Sequence, residues 1–302
     1  MTSTKAGAAW LSVISNCVLI VLKVVAGILT GSIAILTEAV HSAIDLIASL
    51  IALVSVRKAD EPADEDHPYG HEKAENVAAG AEAMLILLGA AIIVVEAVRR
   101  LINGSEVESV GIGIAIIGLS IIANLVVSAY LYRRARALES PALEGDAAHL
   151  RADALTSVAV LVGLVLVEVT GNASFDSIAA LLVAGAIVAT GIRLAMRSGR
   201  VLMDEVLPED EMDRIEAVIA DSRPPQMAGY HKLRGRRAGS RRHIDLHVQF
   251  RTGTSLEEAH EEAHRLRDAI EGEFNNADVL IHVEPEDSYR PADESKGPFR
   301  QG

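Results

Sequence analysis

Six long apolar segments, separated by short polar turns, occupy the first two-thirds of the chain. They cover residues 8–29, 33–56, 77–102, 109–132, 147–170 and 176–199. A helix needs about 20 mostly apolar residues to cross a bilayer, and each segment reaches that length. The segments are rich in Ala, Gly and Ser, as expected of helices that pack closely within lipid. The pattern therefore predicts an α-helical membrane protein whose residues 1–205 form a six-helix transmembrane domain.

From residue 206 the pattern becomes that of a small soluble domain. Two amphipathic helices and three strands are predicted, over 209–221 and 255–274 and over 227–236, 241–251 and 278–285. Apolar and polar residues alternate along the middle strand, which places His247 on its polar face. The sequence predicts a C-terminal α+β domain over 206–287. The polar residues 288–302, which include Pro and Gly, predict a disordered tail.

Composition narrows the class of protein further. Half of the 302 residues are hydrophobic and the mean hydropathy is +0.28, which excludes a disordered or collagenous chain. The single cysteine, Cys17, permits neither a disulfide framework nor a cysteine zinc cluster. The net charge of -13 argues against a nucleic-acid partner and suits a protein that handles cations.

Basic residues are unevenly distributed between the two sides of the predicted bundle. Arg99 and Arg100 are the main ones on one side. The other side has Lys5, Arg57, Lys58, Lys73, Arg133, Arg134, Arg136, Arg193, Arg197 and Arg200. By the positive-inside rule this second side is cytoplasmic. The chain is therefore expected to be a multi-pass protein of the cell (inner) membrane, with both termini in the cytoplasm.

Two of the predicted membrane helices carry a histidine and an aspartate four residues apart. His41 and Asp45 lie in the second helix, and His149 and Asp153 lie in the fifth. Residues four apart share one face of a helix, so the two faces together offer two imidazoles and two carboxylates. This donor set suits a tetrahedral zinc site. A single such pair is equally consistent with hydrogen bonds to a neighbouring helix, but two matching pairs favour a metal site, because ionisable residues are costly in a membrane.

Motifs beyond these pairs carry a family resemblance. The stretch 32–45 (SIAILTEAVHSAID), the stretch 67–75 (HPYGHEKAE) and the second His-x-x-x-Asp motif resemble the cation diffusion facilitator family of divalent-metal/proton antiporters. The resemblance covers roughly residues 8–287. It implies six spans, a cytoplasmic ferredoxin-like (metallochaperone-like) domain, and a homodimer that exports metal from the cytoplasm. It also implies a transport site formed by His41, Asp45, His149 and Asp153.

The resemblance favours zinc as the transported metal. Family members with His and Asp on both helices are generally associated with zinc, whereas cadmium, iron and manganese remain alternatives. Neutral imidazole binds zinc and imidazolium does not, so protons compete with the metal and are the expected counter-substrate. Exchange of the two during rocking of the helices makes an antiporter. Glu38 stands where the family usually has Asp, and Arg151 separates His149 from Asp153, but neither removes a ligand.

The resemblance also implies further metal sites, where zinc would be a structural or regulatory ion. A loop site matches Asp64, His67 and His71, with Glu65 or Asp66 as alternatives to Asp64. A cytoplasmic site matches His231, His247, His260, His282 and Glu284. Lys73 and Asp204 match a charge interlock near the dimer axis. His243 and His264 have no assigned role.

Two other classes of function are compatible with parts of the sequence. Residues 260–264 (HEEAH) satisfy the His-Glu-x-x-His metalloprotease pattern on a predicted helix. The pattern is short, and a domain of about 80 residues with a strongly charged helix leaves little room for a catalytic cleft. A membrane-tethered metal sensor is the other alternative, but a sensor has little use for costly ligands within the bilayer. The sequence therefore favours a transporter and not an enzyme.

Overall fold

The chain folds into two compact units. A computed structural model describes residues 4–30, 33–103, 111–170, 174–274 and 276–288. The units are Met1–Gly199 and Arg200–Gly302. Residues 289–302, almost the whole predicted tail, and residues 109–110 of the fourth predicted segment lie outside the described residues.

Six long helices form the first unit, and each covers the described residues of one predicted apolar segment. They are α1 (Lys5–Thr30), α2 (Ile33–Ala59), α3 (Lys73–Asn103), α4 (Gly111–Leu138), α5 (Pro141–Thr170) and α6 (Ser174–Leu202). Several extend into polar sequence. For example, α5 begins at Pro141 because proline suits the first position of a helix, and Ser140 Oγ accepts a hydrogen bond from the Leu143 amide at 3.4 Å.

Among the described residues, three helices are long and apolar enough to cross a membrane. They are Lys5–Leu29, Lys73–Ile102 and Ser177–Leu202, within α1, α3 and α6. The two helices with the His and Asp pairs, α2 and α5, are not among them, and some side chains of each lie outside the described residues that this comparison covers. Outward-facing side chains are apolar, as Ile28 (69% exposed) and Leu182 (74% exposed) illustrate.

Small side chains fill the contacts between these helices. α1 packs along α2, α4 along α5, and α3 against both α2 and α5. Alanines such as Ala8, Ala52 and Ala83 are fully buried there, so the helix backbones approach closely. Gly191 lets α6 approach α3, because a Cβ at this position would lie 2.8 Å from Leu87 Cγ.

A buried carboxylate joins three helices at one end of the first unit. Glu75, in the first turn of α3, is fully buried and its Oε1 lies 2.5 Å from Lys5 Nζ at the start of α1. Its other oxygen accepts a hydrogen bond from Ser140 Oγ, just before α5. The starts of α1, α3 and α5 are therefore held together by one ion pair and one hydrogen bond.

The second unit is an α+β domain, as predicted. It consists of α7 (Glu209–Asp221), β1 (Met227–Ala238), β2 (Arg241–Phe250), α8 (Leu256–Glu273) and β3 (Ala277–Pro285), followed by a 3-10 turn (Glu286–Ser288). The described strands form one sheet in the order β1-β2-β3, in which β1 and β2 are antiparallel and β2 and β3 are parallel. The alternation along β2 puts Ile244, Leu246 and Val248 into a core shared with α7 and α8.

A buried ion-pair network ties α7 to the sheet. Arg242 Nε of β2 donates a hydrogen bond to Glu211 Oε2 at 2.9 Å, and Arg237 of β1 also pairs with Glu211. The Arg242 guanidinium lies 5.2 Å from the centre of the Phe274 ring, and both Glu211 and Arg242 are buried. Burial raises the pKa of Glu211, but the two guanidinium groups outweigh it and leave the pKa below its ordinary value.

Candidate metal sites

Three ionisable side chains converge inside the first unit, where α2 packs against α5. His149 Nε2 lies 3.6 Å from Asp45 Oδ1 and 3.7 Å from Asp153 Oδ2. One ligand atom from each residue lies within 4.8 Å of the other two. Asp45 and His149 are buried, and the Asp153 side chain is 14% exposed. One imidazole nitrogen and two carboxylates thus face one another largely out of contact with water.

Helical spacing and helix packing build this cluster together. His149 and Asp153 lie on one face of α5, and the packing of α2 on α5 adds Asp45. The side chains of His41 and Glu38 lie outside the part of the chain that the structure describes. His41 therefore stays a prediction as the fourth ligand.

Two further buried carboxylates adjoin the cluster, and the sequence analysis did not identify them. Glu82 of α3 is fully buried, and its Oε2 lies 3.9 Å from His149 Nδ1. Asp146 of α5 is fully buried and accepts a hydrogen bond from Ser49 Oγ at 3.0 Å. The cost of a charge within a span is a signal that points to Glu82, whereas Asp146 precedes the predicted fifth segment.

A buried polar network runs from Asp146 to Asp45. The Asn16 amide donates hydrogen bonds to Ser49 Oγ at 2.8 Å and to the Asp45 carbonyl oxygen at 3.3 Å. The hydroxyls of Ser12 and Ser49 are 2.8 Å apart. These bonds satisfy polar groups that would be costly unpaired, and they fix α1 against the two helices of the cluster.

Arg151 points away from the cluster, as its position on α5 predicts. It is exposed, and its guanidinium lies 5.1 Å from the centre of the Tyr132 ring of α4. Two residues along a helix separate it from the face that carries His149 and Asp153. Its charge is therefore directed at α4.

A second group of potential ligands lies in the loop between α2 and α3. Asp64 Oδ1 lies 3.1 Å from His67 Nδ1, and Asp64 Oδ2 lies 3.2 Å from His71 Nε2. Gly70 has a φ of +88°, which closes the turn between the two histidines. A hydrogen bond from the His67 amide lowers the pKa of Asp64. Of the alternatives, the structure brings Asp64 to both histidines, while Glu65 and Asp66 are exposed outside this group.

A third group crosses the sheet of the second unit. His231, His247 and His282 are direct neighbours across β1, β2 and β3. Glu284 connects them, since its Oε2 lies 2.8 Å from His231 Nε2, and its Oε1 lies 2.6 Å from His247 Nδ1 and 3.5 Å from His282 Nε2. His231, His247 and Glu284 offer ligand atoms within 4.8 Å of one another. Strand register thus brings together four of the five residues predicted for this site.

The fifth predicted residue, His260, lies on an exposed face of α8. Its ring centre is 4.3 Å from that of His264, one turn later. Both line a surface cavity of about 350 Å³ with Glu261 and Arg265. The described residues place His260 with His264 and outside the group of His231, His247 and Glu284.

Lys73, Asp204 and His243 lie apart from these three groups. Lys73 is the first residue of α3, and Asp204 lies in the second unit, where its Oδ1 is 3.1 Å from Arg236 Nη1. Their interlock stays a prediction. His243 is buried on β2, and its Nδ1 lies 3.2 Å from Asp278 Oδ2. Burial and the neighbouring Arg236 hold the pKa of His243 below its ordinary value.

Comparison with known proteins assigns both units. Residues 9–203 match the family model of the cation efflux transmembrane domain, and residues 207–286 match that of the cytoplasmic domain of cation efflux proteins. The chain belongs to the cation diffusion facilitator family. It is therefore a membrane transporter of metal cations and not an enzyme, with a helical transmembrane domain and a C-terminal cytoplasmic α+β domain.

Individual relatives agree with this assignment. The chain is 34% identical to the cation-efflux pump FieF of Serratia proteamaculans (strain 568) over 89% of its own length and 88% of the relative's. It is 33% identical to the cation-efflux pump FieF of Pectobacterium carotovorum subsp. carotovorum (strain PC1) over the same shares. A solved structure of CzrB is 36% identical and covers 26% of this chain and 98% of its own, with a TM-score of 0.26. The family assignment rests on the sequence matches.

Proposed function

We propose that this chain is a Zn²⁺/H⁺ antiporter that exports zinc from the cytoplasm by alternating access. The proposal rests on one observation: ligand atoms of Asp45 on α2 and of His149 and Asp153 on α5 lie within 4.8 Å of one another inside the helix bundle. Zinc is bound by nitrogen and oxygen at about 2.0–2.1 Å, so two ligands of a tetrahedral ion lie about 3.3 Å apart. The distances of 3.6 Å and 3.7 Å from His149 Nε2 to the two carboxylates are close to that value.

The donor set supports zinc over harder cations. Imidazole nitrogen favours zinc, whereas manganese and magnesium prefer carboxylate, carbonyl and water oxygens. With His41 as the fourth ligand, the site offers two nitrogens and two carboxylates. Ligands must be deprotonated to bind metal, so protons and zinc compete for the same atoms and the site exchanges one for the other.

The same proposal includes the membrane, the orientation and the oligomeric state of the protein. All six helices span the cell (inner) membrane, and both termini are in the cytoplasm, in agreement with the distribution of basic residues. The chain acts as a homodimer in the lipid bilayer, with Lys73 and Asp204 as the charge interlock. The loop group (Asp64, His67, His71) and the cytoplasmic group (His231, His247, His282 and Glu284) bind zinc as a structural or regulatory ion, and nucleic acid is not a partner.

The decisive experiment is metal uptake into proteoliposomes with an imposed pH gradient. Zn, Cd, Mn and Fe are compared for the parent chain and for His41→Asp. We expect zinc uptake that depends on an acidic interior and collapses when a protonophore removes the gradient. His41→Asp replaces a nitrogen donor by oxygen and is expected to reduce the preference for zinc over manganese. Zinc uptake at the same rate with and without the pH gradient would contradict antiport. Equal uptake of all four metals by the parent chain would contradict zinc as the preferred substrate.

The cytoplasmic group makes a separate prediction about metal removal. Zinc at 100 times its Kd stabilises a folded unit by about 2.7 kcal/mol, so EDTA is expected to lower the stability of the cytoplasmic unit by this amount. Glu284→Gln should remove most of that difference, because Glu284 contacts all three histidines. Pulse proteolysis of the full chain, followed at residues 206–287, measures the unfolding free energy of this unit with zinc and with EDTA. His264→Gln, on the exposed face of α8, is the control, and an unchanged zinc effect in Glu284→Gln would refute the site.

A further inference from the structure

The far side of the His149 ring faces a carboxylate that the transport site does not use. His149 Nε2 points to Asp45 and Asp153, while Nδ1 points to Glu82 Oε2 at 3.9 Å. Both residues are buried, and Glu82 is entirely inaccessible to water. Among the described residues, neither Glu82 oxygen nor His149 Nδ1 has a hydrogen-bond partner.

When one ring nitrogen of a neutral histidine binds a metal, the other ring nitrogen must carry the proton. A neutral imidazole has a single N–H, and if Nε2 binds the metal, the proton must be on Nδ1. Histidines that bind metals almost always donate this second N–H to a carboxylate, a carbonyl or water, which fixes both the tautomer and the direction of the ring. Glu82 supplies a carboxylate at the required side of the ring, and a movement of about 1 Å completes a normal hydrogen bond.

The Glu82 side chain fits between α3 and α5 because the residue that faces it on α5 is a glycine. A Cβ at Gly145, one turn before His149, would lie 3.0 Å from Glu82 Cγ and 3.2 Å from Ala79 Cα. The two helices therefore approach closely because position 145 has no side chain. The neighbouring carboxylate of Asp146 is engaged differently, since its Oδ1 accepts a hydrogen bond from Ser49.

We propose that Glu82 is a positioning residue of the transport site. It accepts the Nδ1–H of His149, holds the ring in the tautomer with a free Nε2 lone pair, and aims that nitrogen at the metal. The role rests on the proposed function, because it requires a metal between Asp45, His149 and Asp153. Glu82 itself acts through His149 and does not bind the metal.

The test is a double-mutant cycle on zinc affinity. Zinc is titrated into the purified full-length chain carrying His71→Ala and His247→Ala, which disable the other two groups. In this background Glu82→Gln is expected to weaken zinc binding about 10–100-fold, the usual cost of losing such an outer partner. The same change is then made in His149→Asp, which keeps an oxygen ligand but has no ring to orient. There the effect of Glu82→Gln is expected to vanish.

A matched control lies on the same helix. Glu75→Gln removes a buried carboxylate that pairs with Lys5 and is expected to leave zinc affinity within about twofold of the parent, since that pair lies outside the ligand cluster. Gly145→Ala is a second variant that displaces Glu82 without changing its chemistry. It should weaken zinc binding in the same direction as Glu82→Gln and with the same dependence on His149, so the test does not depend on the folding of Glu82→Gln alone.

The outcomes separate this inference from the proposed function. An unchanged affinity in Glu82→Gln, or an equal loss with and without His149, overturns the positioning role, because Glu82 would then act independently of the ring. If Asp45→Asn and Asp153→Asn leave zinc binding intact, the transport site itself is wrong. If those two variants lose zinc and Glu82→Gln does not, only the inference about Glu82 fails.

Discussion

Asparagine at position 45 or 153 is expected to reduce zinc transport at least about 100-fold, more than the 10–100-fold typical of outer partners of a metal ligand. Each substitution keeps the size of the side chain but removes a negative charge and replaces a strong oxygen ligand by a weak one. Both residues lie within 4 Å of His149 Nε2, at 3.6 Å and 3.7 Å. Initial rates of zinc uptake into proteoliposomes under a pH gradient provide the measurement.

Asp60→Asn is the matched control for these variants. Asp60 directly follows α2, the helix that carries Asp45, but it is exposed. It should transport zinc at the parent rate. Parent-like uptake by both Asp45→Asn and Asp153→Asn would remove the basis for the transport site and would favour the sensor, which needs no ion to cross the membrane.

The second large effect concerns the stability of the cytoplasmic unit. Glu211→Gln is expected to lower its free energy of unfolding by about 3 kcal/mol, because it removes the negative charge that pairs with the buried Arg242 guanidinium. Pulse proteolysis in urea, applied to the full chain, reports this unit separately from the membrane helices. Replacing both residues, in Glu211→Met with Arg242→Met, is expected to recover part of the loss, since no charge is then left at the buried position 242.

Glu209→Gln serves as the control for Glu211→Gln. It makes the same chemical change in the first turn of α7, at an exposed residue. Only the interaction with the helix dipole is lost there, which costs about 0.3–1 kcal/mol. Equal effects of the two variants would show that the ion pair with Arg242 adds nothing to the stability of the unit.

Sequence periodicity was sufficient to predict the helices and strands but not every residue at which they begin and end. Every predicted apolar segment is helical where it is described, because burial in lipid demands long apolar runs. The start of α5 differs from the prediction, since Pro141, Glu144, Gly145 and Asp146 interrupt the apolar pattern there. As a result Asp146 lay outside the predicted helix and its place beside the cluster was missed. Proline at the first helical position and the hydrogen bond from the Leu143 amide to Ser140 Oγ favour a helix in this interrupted stretch.

The candidate sites were predictable to different degrees for a physical reason. The pairing of His149 with Asp153 follows from helical spacing alone, and the alternation along β2 places His247 on the polar face. The family resemblance grouped His231, His247 and His282 in one site. That they are direct neighbours across three strands came only with the fold, because register is not specified by a single sequence. Glu82 is far in sequence from His149, and only the close approach of α3 and α5 at Gly145 unites them.

The ion pair between Lys5 and Glu75 makes the packing of α1 against α3 depend on a residue close to the amino terminus. The side chain of Glu75 is 1% exposed, so its charge depends on a lysine only five residues into the chain. Removing or acetylating Lys5 would take away the ion pair that joins α1 to α3 and leave the buried carboxylate to the hydrogen bond from Ser140. Affinity tags used to purify this transporter should therefore leave the first helical turn intact.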